Sequence, residues 1–254
     1  MLSKNKIKLI RSLSLKKFRD IEKLFVAEGK KLVLDLIDAG MQPIELYCTP
    51  AGSKLLHGRK KIQVIQISEE EITKISNLKS PPEMIALFEI DKKDPDWRDM
   101  ATDISLVLDN VQDPGNLGTI VRLADWFGIR QIFCSPGSAD LYNPKAVQST
   151  MGALARVSII YLPLDDLFEK AAQLSLPVYG TFMEGENIFQ ASLTTNGLIV
   201  MGNEGNGISS AYHTFINRKL TIPSFPAGAT TAESLNVSVA TAIACAEFRR
   251  RVYR

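Results

Sequence analysis

The sequence predicts an α/β protein in two parts, a small mixed domain followed by a larger, mostly parallel sheet covered by helices. Three observations lead there. From residue 104, short apolar runs alternate with helix-like stretches, the pattern of parallel strands joined by crossover helices. These runs are Ile104–Leu108, Gln131–Ser135, Val157–Tyr161, Pro177–Thr181, Leu198–Met201 and Leu220–Ile222. Ahead of them, β-like runs at 23–29, Pro43–Thr49, Gln63–Ile67 and Met84–Ile90 stand among separate helical patterns. Between the two parts lies Asp91–Asp99, polar and proline-containing, with linker character. The predicted division is 1–92, a linker over 93–103, and 104–254.

Within the first part, Ile7, Ile10 and Leu13, and later Leu32 and Leu36, are spaced for one apolar helix face. Ser68–Ser76 reads as a capped helix with Glu69, Glu70 and Glu71 in its first turn, where they favour the helix dipole. A length of 254 residues suits two domains, since domains cluster at roughly 100–150 residues. With 45% hydrophobic and 23% charged residues, the chain has the means to fold. Its three cysteines, Cys48, Cys134 and Cys245, are odd in number and far apart, against a disulfide framework or a zinc knuckle. The opening residues lack the apolar core of a signal peptide, and no run of about 18 apolar residues marks a membrane span. A soluble, cytoplasmic protein is expected.

Net charge is only +2, but residues 1–31 carry ten basic side chains against three acidic ones. Lys4, Lys6, Lys8, Arg11, Lys16, Lys17 and Arg19 lie there, and Arg249, Arg250, Arg251 and Arg254 close the chain. Such clusters face phosphates, or are solvated helix faces and a charged tail. Charge alone leaves both open.

Three blocks carry chemistry. In Leu108–Arg122, a strand end passes through Pro114-Gly115 into a helix that Asn116 can cap. Leu117, Ile120, Val121, Ala124 and Phe127 share its apolar face, and Gly118 and Arg122 are read on the other. Arg122 there suits a phosphate, or else pairs with Asp125. The second block, Leu198–Ile208, sets Gly202, Gly205 and Gly207 after a buried strand, so the backbone turns sharply or meets a ligand closely. Its glycine order is not the dinucleotide fingerprint, and Glu204 would repel a pyrophosphate. A neutral or cationic ligand fits better. In the third, Ile222–Ala240, a Pro- and Gly-rich loop leads to a helix read over Glu233–Phe248 and buried all round, with Ser234 and Asn236 as polar groups in a covered place that a ligand would partner. His57 and His213 fall in unrelated segments, so no triad or zinc site is predicted, and no metal.

Together these blocks resemble the motifs of the SpoU (TrmH-like) family of RNA ribose 2′-O-methyltransferases, within the SPOUT superfamily. The matching residues are Asn110, Pro114-Gly115-Asn116, Gly118 and Arg122; Met201-Gly202-Asn203-Glu204-Gly205 and Gly207; and Ile222-Pro223 with Ser234-Leu235-Asn236-Val237-Ser238 and Ala240. Asn143-Pro144-Lys145, Ser149 and Met151-Gly152-Ala153 look like a further family segment, and Gly180-Thr181 matches its first cofactor loop. Phe25 and Glu28-Gly29 resemble the L30e-like substrate-binding domain that precedes the catalytic domain in many members.

The resemblance implies an α/β-knot methyltransferase domain, a rare exception to unknotted topology, a homodimer through that domain, and S-adenosyl-L-methionine as cofactor. Catalytic positions carry over to Asn116, Arg122, Glu204, Ser234 and Asn236. Cofactor contacts carry over to Thr181, Met201, Gly202, Gly205, Ile222, Pro223, Ser234 and Leu235. Lys4, Lys6, Lys8, Arg11, Lys16, Lys17 and Arg19 are assigned to RNA. The implied activity is methylation of a ribose 2′-hydroxyl, with ribosomal RNA ahead of transfer RNA. A catalytically inactive RNA-binding protein, and a methyltransferase of small molecules, are the alternatives.

Overall fold

A computed structural model describes residues 1–56, 62–226 and 232–252. His57, Arg254 and part of the glycine-rich loop of the third block lie outside the described residues. The chain forms two compact units, one of Met1–Lys92 with Asp140–Ala155, the other of Lys93–Ala139 with Arg156–Arg254.

In chain order the first unit holds α1 (Lys4–Ser12), α2 (Lys16–Glu22), β1 (Leu24–Glu28), α3 (Lys30–Asp38), β2 (Glu45–Cys48), α4 (Pro50–Lys54), β3 (Val64–Gln66), α5 (Glu69–Ile75) and β4 (Met84–Glu89). The second contributes α6 (Trp97–Thr102), β5 (Ile104–Leu108), α7 (Pro114–Trp126) and β6 (Gln131–Cys134); α8 (Pro144–Thr150) returns to the first unit. The second unit resumes with β7 (Ser158–Tyr161), α9 (Leu164–Gln173), β8 (Val178–Asn187), β9 (Gly197–Met201), β10 (Arg218–Thr221) and α10 (Val237–Arg250).

Among the described residues of the first unit, the strands run in the order β1-β4-β2-β3, antiparallel except where β2 meets β3. Ile10, Leu13, Tyr47, Ile72 and Ile85 form part of the core beneath. The predicted acidic helix is α5, closed by a capping box: Ser68 accepts from the Glu71 N–H, and Glu71 returns to the Ser68 N–H. Two readings of this half change. The sequence division places 140–155 in the second part. It belongs to the first unit because α8 buries Ala146 and Val147 against β1, and Tyr142 lies 4.8 Å from Phe25, ring to ring.

Arg19 also leaves the basic face to which the sequence assigned it. It is 2% exposed and donates to the carbonyls of Leu13 and Ser14 and, at 2.6 Å, to the Asp140 carboxylate. Breaking a buried ion pair from one side strands the other charge. Arg19→Ala is therefore expected to cost about 3 kcal/mol of stability, measured by urea unfolding.

In the second unit the order is β10-β8-β9-β5-β6-β7, parallel throughout among the described residues. β5 spans the residues read from sequence because Ile104–Leu108 are buried on both faces, as a central parallel strand demands. On one side Val107, Phe133, Leu167, Phe168 and Val200 pack with the partly buried Trp97 and Phe215. β8 runs to Asn187, beyond the predicted Thr181, because its register on β10 jumps from Gly180 to Glu186.

The last helix departs from its sequence reading in two ways. It starts at Val237 rather than near Glu233, since Asn236 caps it by accepting from the N–H groups of Ser238 and Val239. It is not buried all round within the chain: Val239 is 48% exposed. Among the described residues, its terminal arginines are held by acidic partners. Arg249 pairs with Asp103, while Arg250 and Arg251 both hold Glu247, which is nearly buried. Those guanidiniums, led by Arg250, lower the Glu247 pKa. A folded-state pKa below the unfolded value gives stability that is present above the unfolded pKa and lost as pH falls through the folded one. Glu247→Gln should cost about 1–2 kcal/mol at pH 7 and progressively less as the pH falls below the ordinary carboxylate range, checked by thermal melts across that range. No helix among the described residues is long and apolar enough to cross a membrane.

Candidate functional site

The three blocks meet where parallel strands of the second unit end. After β5 the chain turns at Asn110, whose left-handed φ of 53° an asparagine tolerates. Its side chain lies where a Cβ on Gly137 would come within 2.0 Å, so Gly137 leaves the room. Asp113, not Asn116, caps α7: its carboxylate accepts from the Asn116 N–H, and Pro114 follows in the first turn, where a missing N–H costs nothing. Asn116 is thereby freed from capping. Gly118 is buried, against the reading that placed it on the open face, whereas Arg122 is exposed.

After β9 the chain folds back at once. Asn203 and Gly207 exchange both main-chain hydrogen bonds at 2.9 Å. A Cβ on Gly202 would fall 2.2 Å from the Gly207 carbonyl carbon and 2.3 Å from the Ile208 nitrogen, so this hairpin closes only over glycine. The Asn203 side chain accepts from the N–H groups of Gly205 and Asn206 and donates to the Asn110 carbonyl, tying the second block to the first. Buried Asp109 accepts from the Ser209 N–H at 2.7 Å and fixes the far end of the hairpin. Burial raises its pKa, an effect the Ser209 hydrogen bond partly offsets.

The hairpin tip carries Glu204 outward, and a chain of side-chain amides leads to it. Asn236 Oδ1 is committed to the start of α10, accepting from the Ser238 and Val239 N–H groups and, at 2.6 Å, from the Ser238 hydroxyl. Its Nδ2 must therefore face away, and it donates to Asn116 Oδ1 at 3.1 Å. Asn116 Nδ2 then donates to Glu204 Oε1 at 2.9 Å. One residue from each block joins in a single relay whose direction the helix cap sets.

The remaining predicted positions divide. Thr181, where β8 leaves β9, donates to the Val200 carbonyl and lies against Met201 sulfur. Met201 ends β9 and Gly202 follows it, while Ile222 and Pro223 follow β10, so these positions lie at the ends of two parallel strands that flank β8. Ser234, Leu235 and Asn236 are exposed in this chain, against the covered setting predicted for Ser234 and Asn236. Arg122 stays outside the relay and makes no ion pair among the described residues; Asp125, its predicted alternative partner, holds Arg156. His213 donates to or accepts from the Ile208 carbonyl and packs edge-on against Phe182. No group of His, Cys, Asp and Glu among the described residues could hold a metal ion. Of the basic N-terminal side chains, Lys4, Lys8, Arg11, Lys16 and Lys17 are exposed, and Lys6 holds Glu45.

Sequence reasoning gave no role to Asp109, Asp113, Asn203 and Ser238, although the last two stand among its motif residues. Asn203 had a signal, since an asparagine two residues before a glycine bonds its own turn. Ser238 was visible only as a motif residue, because its role depends on where the helix begins.

Comparison with known proteins finds a match in each half of the sequence. Residues 103–246 match the SpoU rRNA methylase family, and residues 4–86 match an MRM3-like substrate-binding domain. The 23S rRNA (guanosine(2553)-2′-O)-methyltransferase RlmP of Bacillus subtilis is 28% identical over 242 residues, 94% of this chain and 93% of that one. The 23S rRNA (uridine(2479)-2′-O)-methyltransferase of Streptomyces viridochromogenes is 32% identical over 68% of this chain, which spans 62% of that enzyme's length. Among solved structures, a TrmH-family protein from Porphyromonas gingivalis superposes with a TM-score of 0.88 at 39% identity, covering 99% of each chain. An AdoMet-bound rRNA methyltransferase from Sinorhizobium meliloti gives 0.86 at 28% identity, covering 99% of this chain and 97% of that one.

Proposed function

The chain belongs to the SpoU rRNA methylase family, and from that premise we propose that it transfers a methyl group from S-adenosyl-L-methionine to a ribose 2′-hydroxyl of ribosomal RNA. The observation that carries this reading is the relay Asn236–Asn116–Glu204, which gathers the three motif blocks beside a hairpin built of bare backbone. That setting suits the cofactor. A glycine cradle offers backbone groups, and Glu204 brings negative charge, which favours a sulfonium and would repel a phosphate. Thr181, Met201, Gly202, Gly205, Ile222, Pro223, Ser234 and Leu235 would hold it.

When bound, the cofactor supplies an electrophilic methyl group on a cationic sulfur. The chain's own residues position the other reactant. Asn116 and Asn236 orient the ribose, since their amides are already aimed by the α10 cap and cost little to order. Arg122 is effectively always protonated, so it clamps the adjacent phosphate rather than serving as a base. As the 2′-oxygen attacks, its proton leaves; Glu204 Oε2, which accepts from no group among the described residues, is the available acceptor.

The first unit docks the RNA through Lys4, Lys8, Arg11, Lys16 and Lys17, while Arg19 braces the fold. The second unit, knotted as in its family, pairs with a second copy through surfaces that include Val239 and Trp126, both exposed in the single chain. The enzyme works in the cytoplasm, where bacterial ribosomal RNA is made. Titration calorimetry should show one S-adenosylmethionine site per chain, and absence of binding would end this reading.

A further inference from the structure

The first unit contains a cavity of about 350 Å³ that the chemistry above does not use. Val26 of β1 and Val147 of α8, both buried, form its apolar interior, with Leu78 and Pro144 beside them and Lys145 and Gln148 also lining it. We infer that this cavity receives one unstacked nucleobase of the substrate RNA, a base other than the one whose ribose is methylated. The inference rests on the ribosomal RNA reading above.

The wall that carries Leu78 is built in advance. Glu28, 5% exposed, accepts from the Ser76 hydroxyl, from the Asn77 N–H and from Asn77 Nδ2. The Ser76 hydroxyl oxygen in turn accepts from the Leu78 N–H at 3.0 Å. The carboxylate is thus consumed as a bracket, and it fixes a loop that presents Leu78, 38% exposed, at the cavity. An apolar side chain held open by a rigid loop is a ready surface for a flat ring, and a loop ordered before binding loses little entropy on binding.

Gln148 supplies the polar element. It is half-buried, lines the cavity, and its amide makes no hydrogen bond to any group among the described residues. A primary amide offers a donor and an acceptor side by side, the pair that matches the edge of a base. Unstacked bases resting on apolar or aromatic surfaces and read at their edges are the usual sequence-specific contact to RNA. The volume lies at the small end of ligand sites, roughly 300–1,000 Å³, which admits one base and excludes a duplex. Lys145 at the lining and the exposed Lys79 beside Leu78 suit the flanking phosphates.

The test compares the wild-type chain with Gln148→Leu, which removes the reading edge, and Gln148→Trp, which fills the space from a half-buried helix position. With a large-subunit ribosomal RNA transcript, each variant should raise the KM for RNA about tenfold or more, with kcat at saturating RNA and S-adenosylmethionine affinity unchanged. Ultraviolet cross-linking of the wild-type complex, mapped by mass spectrometry, should place RNA on residues 77–78 or 144–149, and Gln148→Trp should abolish that link. Wild-type KM in both variants, or cross-links confined to other segments, would overturn the site while leaving the methyltransferase reading intact. Cross-links at these residues without methyl transfer by the wild type would do the reverse.

Discussion

Asn116→Ala is expected to lower methyl transfer to RNA by about 10²–10³-fold, the usual cost of deleting one pre-aimed polar group at a reacting centre. Affinity for S-adenosylmethionine and melting temperature should stay near wild type, because the residue's partners are themselves open to water. Glu204 and Asn236 are both exposed, so each exchanges the lost hydrogen bond for one to solvent. The asymmetry of the relay sharpens the expectation. Asn116→Asp keeps an acceptor for Asn236 Nδ2 but sets a second carboxylate against Glu204 in place of the donated N–H. It should be no more active than the alanine variant despite its matching shape. Single-turnover rates at saturating RNA read this directly, and a rate for Asn116→Ala within threefold of wild type would remove the relay from the mechanism.

The second large effect concerns the backbone. Gly202→Ala places a methyl group 2.2 Å from the Gly207 carbonyl carbon, and main chain cannot swing aside as a flexible side chain would. The hairpin must open, losing the paired Asn203–Gly207 hydrogen bonds. Overpacking of this kind costs about 1–3 kcal/mol, which corresponds to a drop of several degrees in melting temperature. Cofactor affinity should fall by more than 100-fold, since the proposed binding surface is this cradle. Gly205→Ala is the control. Its added Cβ would meet only Asn203 Oδ1, at 3.6 Å, so the fold should be unaffected and the affinity loss much smaller. Calorimetry with S-adenosylmethionine and a thermal melt on each variant separate the two.

Much of this was legible in the sequence, for physical reasons that vary by element. β5 was read to the residue because a strand buried on both faces is an uninterrupted apolar run. The capped start of α5 was visible as serine followed by three glutamates. The three blocks, which the structure brings together, stood out because glycine and asparagine cluster where regular structure would exclude them. What failed were statements about which neighbour a polar residue faces. Asn116 and Asp113 are equally good caps by residue type, and only the position of Pro114 in the first turn decides between them. Asn236 was read as a polar group awaiting a ligand, whereas its oxygen caps α10, through hydrogen bonds no spacing rule predicts. Arg19 looked like one more member of a basic face. Its burial depends on Asp140, 121 residues away in sequence. The return of α8 to the first unit was illegible for the same reason, since short helices carry no record of which sheet they cover.

The central claim is methylation of a ribose hydroxyl through the relay of Asn236, Asn116 and Glu204. Incubation with methyl-labelled S-adenosylmethionine and large-subunit ribosomal RNA, followed by alkaline hydrolysis, tests it most directly. A methylated 2′-oxygen can no longer attack the neighbouring phosphate, so the label should be recovered in one alkali-resistant dinucleotide, present with wild type and lost with Asn116→Ala. Label released in mononucleotides would mean that a base is the acceptor, and would contradict the account.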